Sequence, residues 1–178
     1  MPIAILCCFF ALKSNTFSLF ISLLLFMLAS STDYLDGYLA RKWKTVSSFG
    51  KFTDPIADKI LILGVLSVFT YKTIIPIIFT AIIIFREVLL TIIRIMLLSK
   101  KKVMSSNYSG KVKTFSQILA IVAIYILIIF KENITHYLGD GFIDYSILIL
   151  MSWLVIITTY SGVQFFVDNK RVISQSLL

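Results

Sequence analysis

Long apolar stretches separated by short polar segments run along almost the whole chain. A membrane-spanning helix needs roughly 17 to 25 predominantly apolar residues. On that scale the pattern predicts six helices, from apolar stretches near residues 2–12, 17–32, 60–71, 74–98, 114–130 and 146–167. We expect the second and third helices to extend into the polar segment between them, so that residues 55–71 form a short span. The first stretch is only half a span long, so we expect a first helix that is shortened at its start.

The composition supports a membrane protein and excludes three other classes. Of the 178 residues, 58% are hydrophobic and 15% are charged, and the mean hydropathy is +0.95. A soluble domain carries about 25% charged residues, so this chain is too apolar for one soluble core or for disorder. Its two cysteines, Cys7 and Cys8, are adjacent in an apolar run, which excludes a disulfide-stapled secreted module. We predict an all-α, polytopic membrane protein, with residues 1–178 forming one domain built as a bundle of about six transmembrane helices.

Most of the positive charge lies on one side of this six-helix arrangement. The formal net charge is +8, and the basic residues on that side are Arg41, Lys42, Lys44, Lys51, Lys59, Lys100, Lys101, Lys102, Lys111, Lys113, Lys170 and Arg171. An excess of Lys and Arg in short loops marks the cytoplasmic face. We therefore expect both termini to face the cytoplasm. The charges would set the topology and attract anionic membrane lipids or substrate, and no nucleic acid is expected as a partner.

Four of the nine acidic residues fall within 26 residues at the predicted cytoplasmic edge of the second and third helices. These are Asp33, Asp36, Asp54 and Asp58. If the second helix continues to about residue 41, Asp33 and Asp36 lie on one stripe with Gly37 and Ala40, because the spacing is i, i+3, i+4, i+7. Asp54 and Asp58 are one turn apart, and Pro55 suits a first helical turn at the start of the third helix. Two carboxylate pairs on neighbouring helices could then face one point.

Four neighbouring carboxylates predict a site for two divalent cations. Without a partner they would repel one another, whereas two cations would neutralise them. All-oxygen ligands favour Mg²⁺ or Mn²⁺, and a pair of such ions is a known means of assisting phosphoryl transfer. Gly37 and Ala40 would leave room for a nucleotide beside the helix, and Arg41 could hold a phosphate. The alternative is a solvated acidic helix end that pairs with nearby lysines, although such pairing does not require this spacing.

These residues form a known signature. The segment 33–58 reads Asp33-x-x-Asp36-Gly37-x-x-Ala40-Arg41, eight residues, Gly50-x-x-x-Asp54-x-x-x-Asp58, and it resembles the full signature of the CDP-alcohol phosphotransferase family. The resemblance implies a six-helix membrane enzyme, often a homodimer, that transfers a phosphatidyl or similar group from a CDP-alcohol to a hydroxyl and releases CMP. It implies that Asp33, Asp36 and Asp54 bind two metal ions, and that Asp58 also binds metal and acts as the catalytic base. It further implies that Gly37, Ala40, Arg41 and Gly50 border the cytidine diphosphate.

Residues at the end of the signature and beyond it are similar to family members whose acceptor is glycerol 3-phosphate. The similar segments are 54–59, Arg86-Glu87 followed by Arg94, and 110–114 followed by Gln117. This resemblance implies a phosphatidyl transfer from CDP-diacylglycerol to glycerol 3-phosphate, giving phosphatidylglycerophosphate and CMP. It favours a bacterial inner (cytoplasmic) membrane as the location, with the active site facing the cytoplasm.

Basic residues in the predicted fourth and fifth helices independently favour an anionic acceptor. An arginine inside a membrane helix normally points into the bundle and finds a partner. Glu87 lies on nearly the same helical face as Arg94, so it could pair Arg94 and leave Arg86 for ligand, or the partners could be exchanged. The candidate acceptor-phosphate ligands are Arg86, Arg94, Lys111 and Lys113. Alternatively, Glu87 and Arg94 form only a buried ion pair and the lysines only fix topology.

Two other functions remain open from the residues alone. The same chemistry could use phosphatidylglycerol, inositol phosphate or serine as the acceptor. In a different class, the four aspartates could bind the cargo of a divalent-cation transporter. A transporter places such residues near the bilayer midplane, whereas these lie at the edge beside a basic loop, which suits an anionic nucleotide better.

Overall fold

The computed structural model describes the backbone of residues 2–13, 15–43, 48–99, 108–139 and 141–177, and the side chains of 2–13, 15–32, 59–97, 112–139 and 141–170. All regular structure in these residues is helical, which confirms the all-α prediction. The helices are α1 (Pro2–Leu12), α2 (Thr16–Trp43), α3 (Ser48–Tyr71), α4 (Ile77–Ser99), α5 (Tyr108–Ile129), α6 (Lys131–Leu138) and α7 (Gly141–Leu177).

The helices have the apolar outer surface of a membrane protein. Two segments, Val112–Ile129 and Gly141–Lys170, are long and apolar enough to cross a bilayer by length and composition. Large apolar side chains also project outward from helices on several sides of the bundle: Ile5, Phe17, Phe85, Ile149 and Ile156 are each between 66% and 70% exposed. A soluble monomer rarely exposes apolar surface on this scale, because water would drive it to associate. The chain is therefore a helical membrane protein.

The helix boundaries agree with the sequence pattern at α2 and differ from it at two other places. Helix α2 runs without interruption to Trp43, as predicted. Helix α3, however, begins at Ser48, so the prediction that Pro55 occupies its first turn is wrong. A proline in a helix interior removes one backbone hydrogen bond without necessarily ending the helix, which is why it marks a boundary poorly. The short helix α6 was not predicted either, because its polar sequence has no apolar stretch of spanning length.

The core includes residues of α4 and α7, and its largest buried side chain lies where α1, α2, α3 and α5 meet. Tyr125 of α5 is the largest fully buried side chain, and its ring packs against Phe69 of α3 and Phe26 of α2. The centroid distances are 4.8 Å to Phe69 and 6.2 Å to Phe26. Three helices that are distant in sequence are thus joined through one aromatic residue.

A polar network at the same place joins α1 to this core. Ser22 donates a hydrogen bond to the backbone oxygen of Cys7 at 2.8 Å, and its hydroxyl lies 2.6 Å from the Tyr125 hydroxyl. The Cys7 thiol is 3.4 Å from the Ser22 hydroxyl and is fully buried. Neighbouring Cys8 packs against α3, where a Cβ at Gly64 would lie 2.9 Å from its sulfur. Both cysteines therefore serve helix packing.

At one end of the bundle, a lysine in the turn after α3 is hydrogen-bonded to the end of α1. The Lys72 ammonium donates hydrogen bonds to the backbone oxygens of Ala11 and Lys13, each at 2.9 Å. These carbonyls lie at the end of α1, where the helix leaves its last oxygens without an internal partner. Burial lowers the pKa of Lys72. The α1–α2 and α3–α4 turns therefore lie at the same end, as the six-helix arrangement requires.

Candidate functional site

The four signature aspartates lie on two helices. Asp33 and Asp36 belong to the C-terminal part of α2, and Asp54 and Asp58 belong to the N-terminal part of α3. Their side chains lie outside the described residues, as do those of the predicted nucleotide-binding residues Gly37, Ala40, Arg41 and Gly50, and of Lys111. Among the described side chains, no three His, Cys, Asp or Glu residues are grouped as metal ligands would be. The predicted metal site therefore stays a prediction.

The described part of the site is centred on a buried carboxylate. Glu87 of α4 is only 2% exposed, and cationic side chains from three helices contact it. Its Oε1 accepts from Nη1 of neighbouring Arg86 at 2.7 Å and from the ammonium of Lys113 on α5. Its Oε2 lies 3.1 Å from the ammonium of Lys59 on α3. We refer to Lys59, Arg86, Glu87 and Lys113 as the Glu87 cluster.

Lys59 is held more firmly than the other two cations. Its ammonium also donates to the backbone oxygen of Glu87 at 3.2 Å and to the Thr91 hydroxyl. Thr91 in turn donates to the Glu87 backbone oxygen at 2.6 Å. An ammonium has three N–H donors, and two of them are used in these hydrogen bonds, beside the ion pair with Oε2 of Glu87. Lys59 therefore fixes Glu87 and the adjoining turn of α4 to α3.

The Glu87 cluster carries more positive than negative charge. Three cations surround one carboxylate, which leaves a formal excess of two positive charges among the described side chains. Buried like charges are costly in a low-dielectric environment unless an opposite charge offsets them. Such an arrangement can bind an anion, and the fork of an arginine beside a lysine suits a phosphate.

Arg94 does not join this cluster. Its guanidinium carbon lies 5.9 Å from the centre of the Phe165 ring on α7. Of the two pairings that the sequence left open, the structure therefore has Glu87 with Arg86. The reason is distance along the helix: seven residues at 1.5 Å each separate Glu87 and Arg94 by about 10 Å, so sharing a face does not bring them together. Arg86 and Lys113, both predicted to bind the acceptor phosphate, are brought together.

The small residues of α7 make room for Arg86. Thr158, Ser161 and Gly162 are buried, so this face of α7 packs within the bundle. A Cβ at Gly162 would lie 3.1 Å from Nε of Arg86. The missing side chain at this position lets α7 lie directly against the guanidinium.

Valine at position 162 is expected to destabilise the protein. The added side chain must displace the Arg86 guanidinium or the helix, and overpacking of this kind costs about 1–3 kcal/mol. The measurement is thermal unfolding in detergent for Gly162→Val. Thr159→Val, at an exposed position one turn away on the same helix, is the matched control. Equal stability of Gly162→Val and the unmodified protein would contradict the close contact.

Two residues of the site were not identified as such from the sequence. Lys59 was read only as a topology signal, although it is close to the signature. Gln117 was noted only as part of a motif; it is 2% exposed, and its Nε2 has no hydrogen-bond partner within the described structure. The available signal was spacing, because Gln117 follows Lys113 by four residues and so shares its helical face.

Nε of Arg86 is, like Nε2 of Gln117, buried without a hydrogen-bond partner within the described structure.

Fold and site together define a helical membrane protein with a positively charged side-chain cluster among its helices. The chain belongs to the CDP-alcohol phosphatidyltransferase family, whose family model matches residues 1–160. This membership confirms the predicted family and the prediction of a transferase, and it does not support a transporter.

Curated relatives carry one shared name. A Bacillus subtilis protein named CDP-diacylglycerol–glycerol-3-phosphate 3-phosphatidyltransferase is 34% identical over 154 residues, which cover 86% of this chain and 75% of the relative. Proteins of the same name from Mycoplasma genitalium and Rickettsia felis are 37% and 39% identical. The alignments cover 93% and 83% of this chain, and 71% and 80% of those relatives.

Proposed function

We propose that this protein transfers the phosphatidyl group from CDP-diacylglycerol to glycerol 3-phosphate, producing phosphatidylglycerophosphate and CMP. Family membership and the shared name of the relatives support the reaction. The observation that carries the acceptor is the Glu87 cluster, with its excess of two positive charges at a buried position. Glycerol 3-phosphate is a small dianion. Serine carries no net charge, and phosphatidylglycerol is bulky and carries a single negative charge.

The signature aspartates are proposed to hold two divalent cations. The donor set fits, because segment 33–58 offers four carboxylates and contains neither cysteine nor histidine, and oxygen ligands select Mg²⁺ or Mn²⁺. Spacings of three residues in α2 and four in α3 place each pair on one helical face. Bound there, the cations would offset the negative charge of the diphosphate. The proposed ligands are Asp33, Asp36, Asp54 and Asp58.

Substrate binding and proton transfer are proposed for other residues of the chain. Gly37, Ala40, Arg41 and Gly50 border the cytidine diphosphate, and Arg86 and Lys113, together with Arg94 and Lys111, hold the acceptor phosphate. Asp58 takes the proton from the acceptor hydroxyl. The hydroxyl oxygen then forms a bond to the lipid-linked phosphorus of CDP-diacylglycerol. The bond from that phosphorus to the CMP oxygen breaks, and CMP leaves with the electron pair.

The proposed setting is the bacterial inner membrane. One domain, residues 1–178, would cross it six times, with α6 outside the bilayer and the active site facing the cytoplasm. One observation supports this arrangement: the turns that hold Lys13 and Lys72, the basic residues expected on the outer side, meet at one end of the bundle. Two copies would form a homodimer through the exposed apolar faces.

The acceptor is tested directly with the purified full chain. We expect label from glycerol 3-phosphate to enter the organic phase only when CDP-diacylglycerol and Mg²⁺ or Mn²⁺ are present, and EDTA to stop the transfer. Serine, inositol phosphate and phosphatidylglycerol are the parallel acceptors, with CMP release as the common readout.

Two results would contradict the proposal at different levels. Release of CMP with one of the parallel acceptors, but not with glycerol 3-phosphate, would show that the acceptor is wrong. An absence of CMP release with every acceptor, from protein that remains folded in detergent, would show that the reaction itself is wrong.

A further inference from the structure

We infer that Glu87 and Gln117 complete the acceptor-phosphate site. Glu87 is a positioning residue that holds Arg86 and Lys113, and the Gln117 amide donates a hydrogen bond to the phosphate. This inference rests on the proposed function for the identity of the acceptor. It goes further because it assigns roles to Glu87, whose carboxylate would repel a phosphate, and to Gln117, whose amide carries no charge.

The positioning role follows from how the donors of the cluster are used. Lys59 donates two hydrogen bonds, to the backbone oxygen of Glu87 and to the Thr91 hydroxyl, and forms an ion pair with Oε2 of Glu87. All three contacts lie within the bundle, so Lys59 secures the carboxylate. Arg86 commits Nη1 to Glu87 and keeps other N–H groups, and Lys113 directs one N–H to the same oxygen. One carboxylate therefore sets the spacing between a guanidinium on α4 and an ammonium on α5. Without it, the two cations would repel each other.

Two unpartnered donors point to the ligand. Nε2 of Gln117 and Nε of Arg86 are buried, and neither has a hydrogen-bond partner within the described structure. Leaving a buried donor unsatisfied is unfavourable, so such groups usually have a partner when the protein works. Both atoms are donors, and both belong to residues on or one turn from the Glu87 cluster. Oε2 of Glu87 also lacks a hydrogen bond, but its charge is offset by the Lys59 ammonium 3.1 Å away. The missing partner is therefore an acceptor of hydrogen bonds, and the excess positive charge makes it an anion.

The charge and burial favour a phosphate monoester dianion. Its charge of about −2 near neutral pH matches the excess of two positive charges. The diphosphate of the lipid donor has similar chemistry, so the experiment has to distinguish the two sources. Separate kinetics for the two substrates do so, because a residue at the acceptor phosphate changes the KM for glycerol 3-phosphate alone.

The first variant removes only the charge of Glu87. In Glu87→Gln we expect the KM for glycerol 3-phosphate to rise about 10- to 100-fold, the loss typical of a hydrogen bond to a charged group. The KM for CDP-diacylglycerol should stay within about threefold. Glu87→Asp should recover most of the loss, because it keeps the charge. Glu132→Gln, on the exposed helix α6, is the matched control.

Charge attraction alone predicts the opposite result. Removing a negative charge from the cluster would then tighten the binding of an anion and lower the KM. A lower or unchanged KM for glycerol 3-phosphate in Glu87→Gln would overturn the positioning role.

The second variant tests the amide. Gln117→Leu keeps the approximate size and removes the donor, and we expect the KM for glycerol 3-phosphate to rise about tenfold. Gln117→Glu should be worse, because it places a negative charge beside the phosphate. Gln164→Leu on α7 is the matched control. If the KM for CDP-diacylglycerol rises instead, the bound phosphate belongs to the lipid donor and the inference is overturned.

Binding without turnover separates this inference from the proposed function. Equilibrium binding of labelled glycerol 3-phosphate, with inorganic phosphate as competitor, is measured for the unmodified full chain and both variants. One outcome is that the protein transfers nothing to glycerol 3-phosphate but binds it in competition with phosphate, and that both variants weaken this binding. That outcome would support the phosphate site and show that the proposed acceptor is wrong. Transfer to glycerol 3-phosphate with unaltered KM and binding in both variants would leave the proposed function standing and overturn the inference.

Discussion

Replacing Asp58 by asparagine is expected to abolish phosphatidyl transfer. Asparagine has nearly the same size, but its amide cannot accept the proton of the acceptor hydroxyl at neutral pH. A positioned general base contributes about 100- to 10,000-fold, and Asp58 is also a proposed metal ligand, so the loss should lie at the upper end. The measurement is CMP release and label transfer by the purified variant at saturating glycerol 3-phosphate.

A second carboxylate provides the control. Asp144 lies in the first turn of α7, at the end of the bundle where Lys72 closes α1, and Asp144→Asn should retain full activity. Asp54→Asn, proposed to remove a metal ligand, should lose activity as well. If Asp58→Asn turned over at more than a tenth of the normal rate, Asp58 would not be the base.

Truncating Tyr125 to alanine is expected to have the largest effect on stability. The ring contacts Phe26 and Phe69, and the hydroxyl contacts Ser22, so truncation empties the point where α1, α2, α3 and α5 meet. Removing a large buried aromatic residue costs about 3–5 kcal/mol, mostly through lost packing contacts. Unfolding in SDS titrations, followed by circular dichroism, measures the loss.

Two further tyrosine variants separate packing from hydrogen bonding. Tyr125→Phe keeps the ring and should cost only about 0.6 kcal/mol, the average for hydrogen bonds within membrane bundles, and no more than about 1.7 kcal/mol, their maximum. Tyr145→Ala, at a site 70% exposed on α7, should be nearly neutral. If Tyr125→Ala were as stable as Tyr145→Ala, the described core would be incorrect.

Apolar stretch length was sufficient to predict the long helices and insufficient to place their ends. The extension of α2 past Asp33 followed from the regular spacing of its polar residues. The start of α3 at Ser48 did not, because a proline is compatible with the first turn and with the helix interior. Helix α6 has only eight residues and is polar on average, so it offers no apolar stretch of spanning length, and it packs against α7.

The sequence also indicated which charged residues matter without showing how they pair. Arg86 and Glu87 were recognised as unusual because charges inside membrane helices are costly, and Lys113 as a positive charge near the start of the fifth helix. Helical spacing gives the face of a residue but not the distance to residues on other helices. The contact between Glu87 and Lys59 joins α4 to α3 and depends on how these helices cross. The unpartnered amide of Gln117 is likewise visible only once its surroundings are known.

The hydrogen bond between Ser22 and Tyr125 has a consequence for biogenesis. The two residues are 103 positions apart, so α1 and α2 leave the ribosome long before their partner on α5. At a translation rate of about 5–20 residues per second, the delay is on the order of 5–20 s. During that interval Ser22 already has Cys7 as a partner, but the contact of α1 and α2 with Tyr125 has not formed. The Ser22 hydroxyl therefore gains its second partner only when α5 emerges, and a nascent chain arrested before Tyr125 is expected to lack this contact.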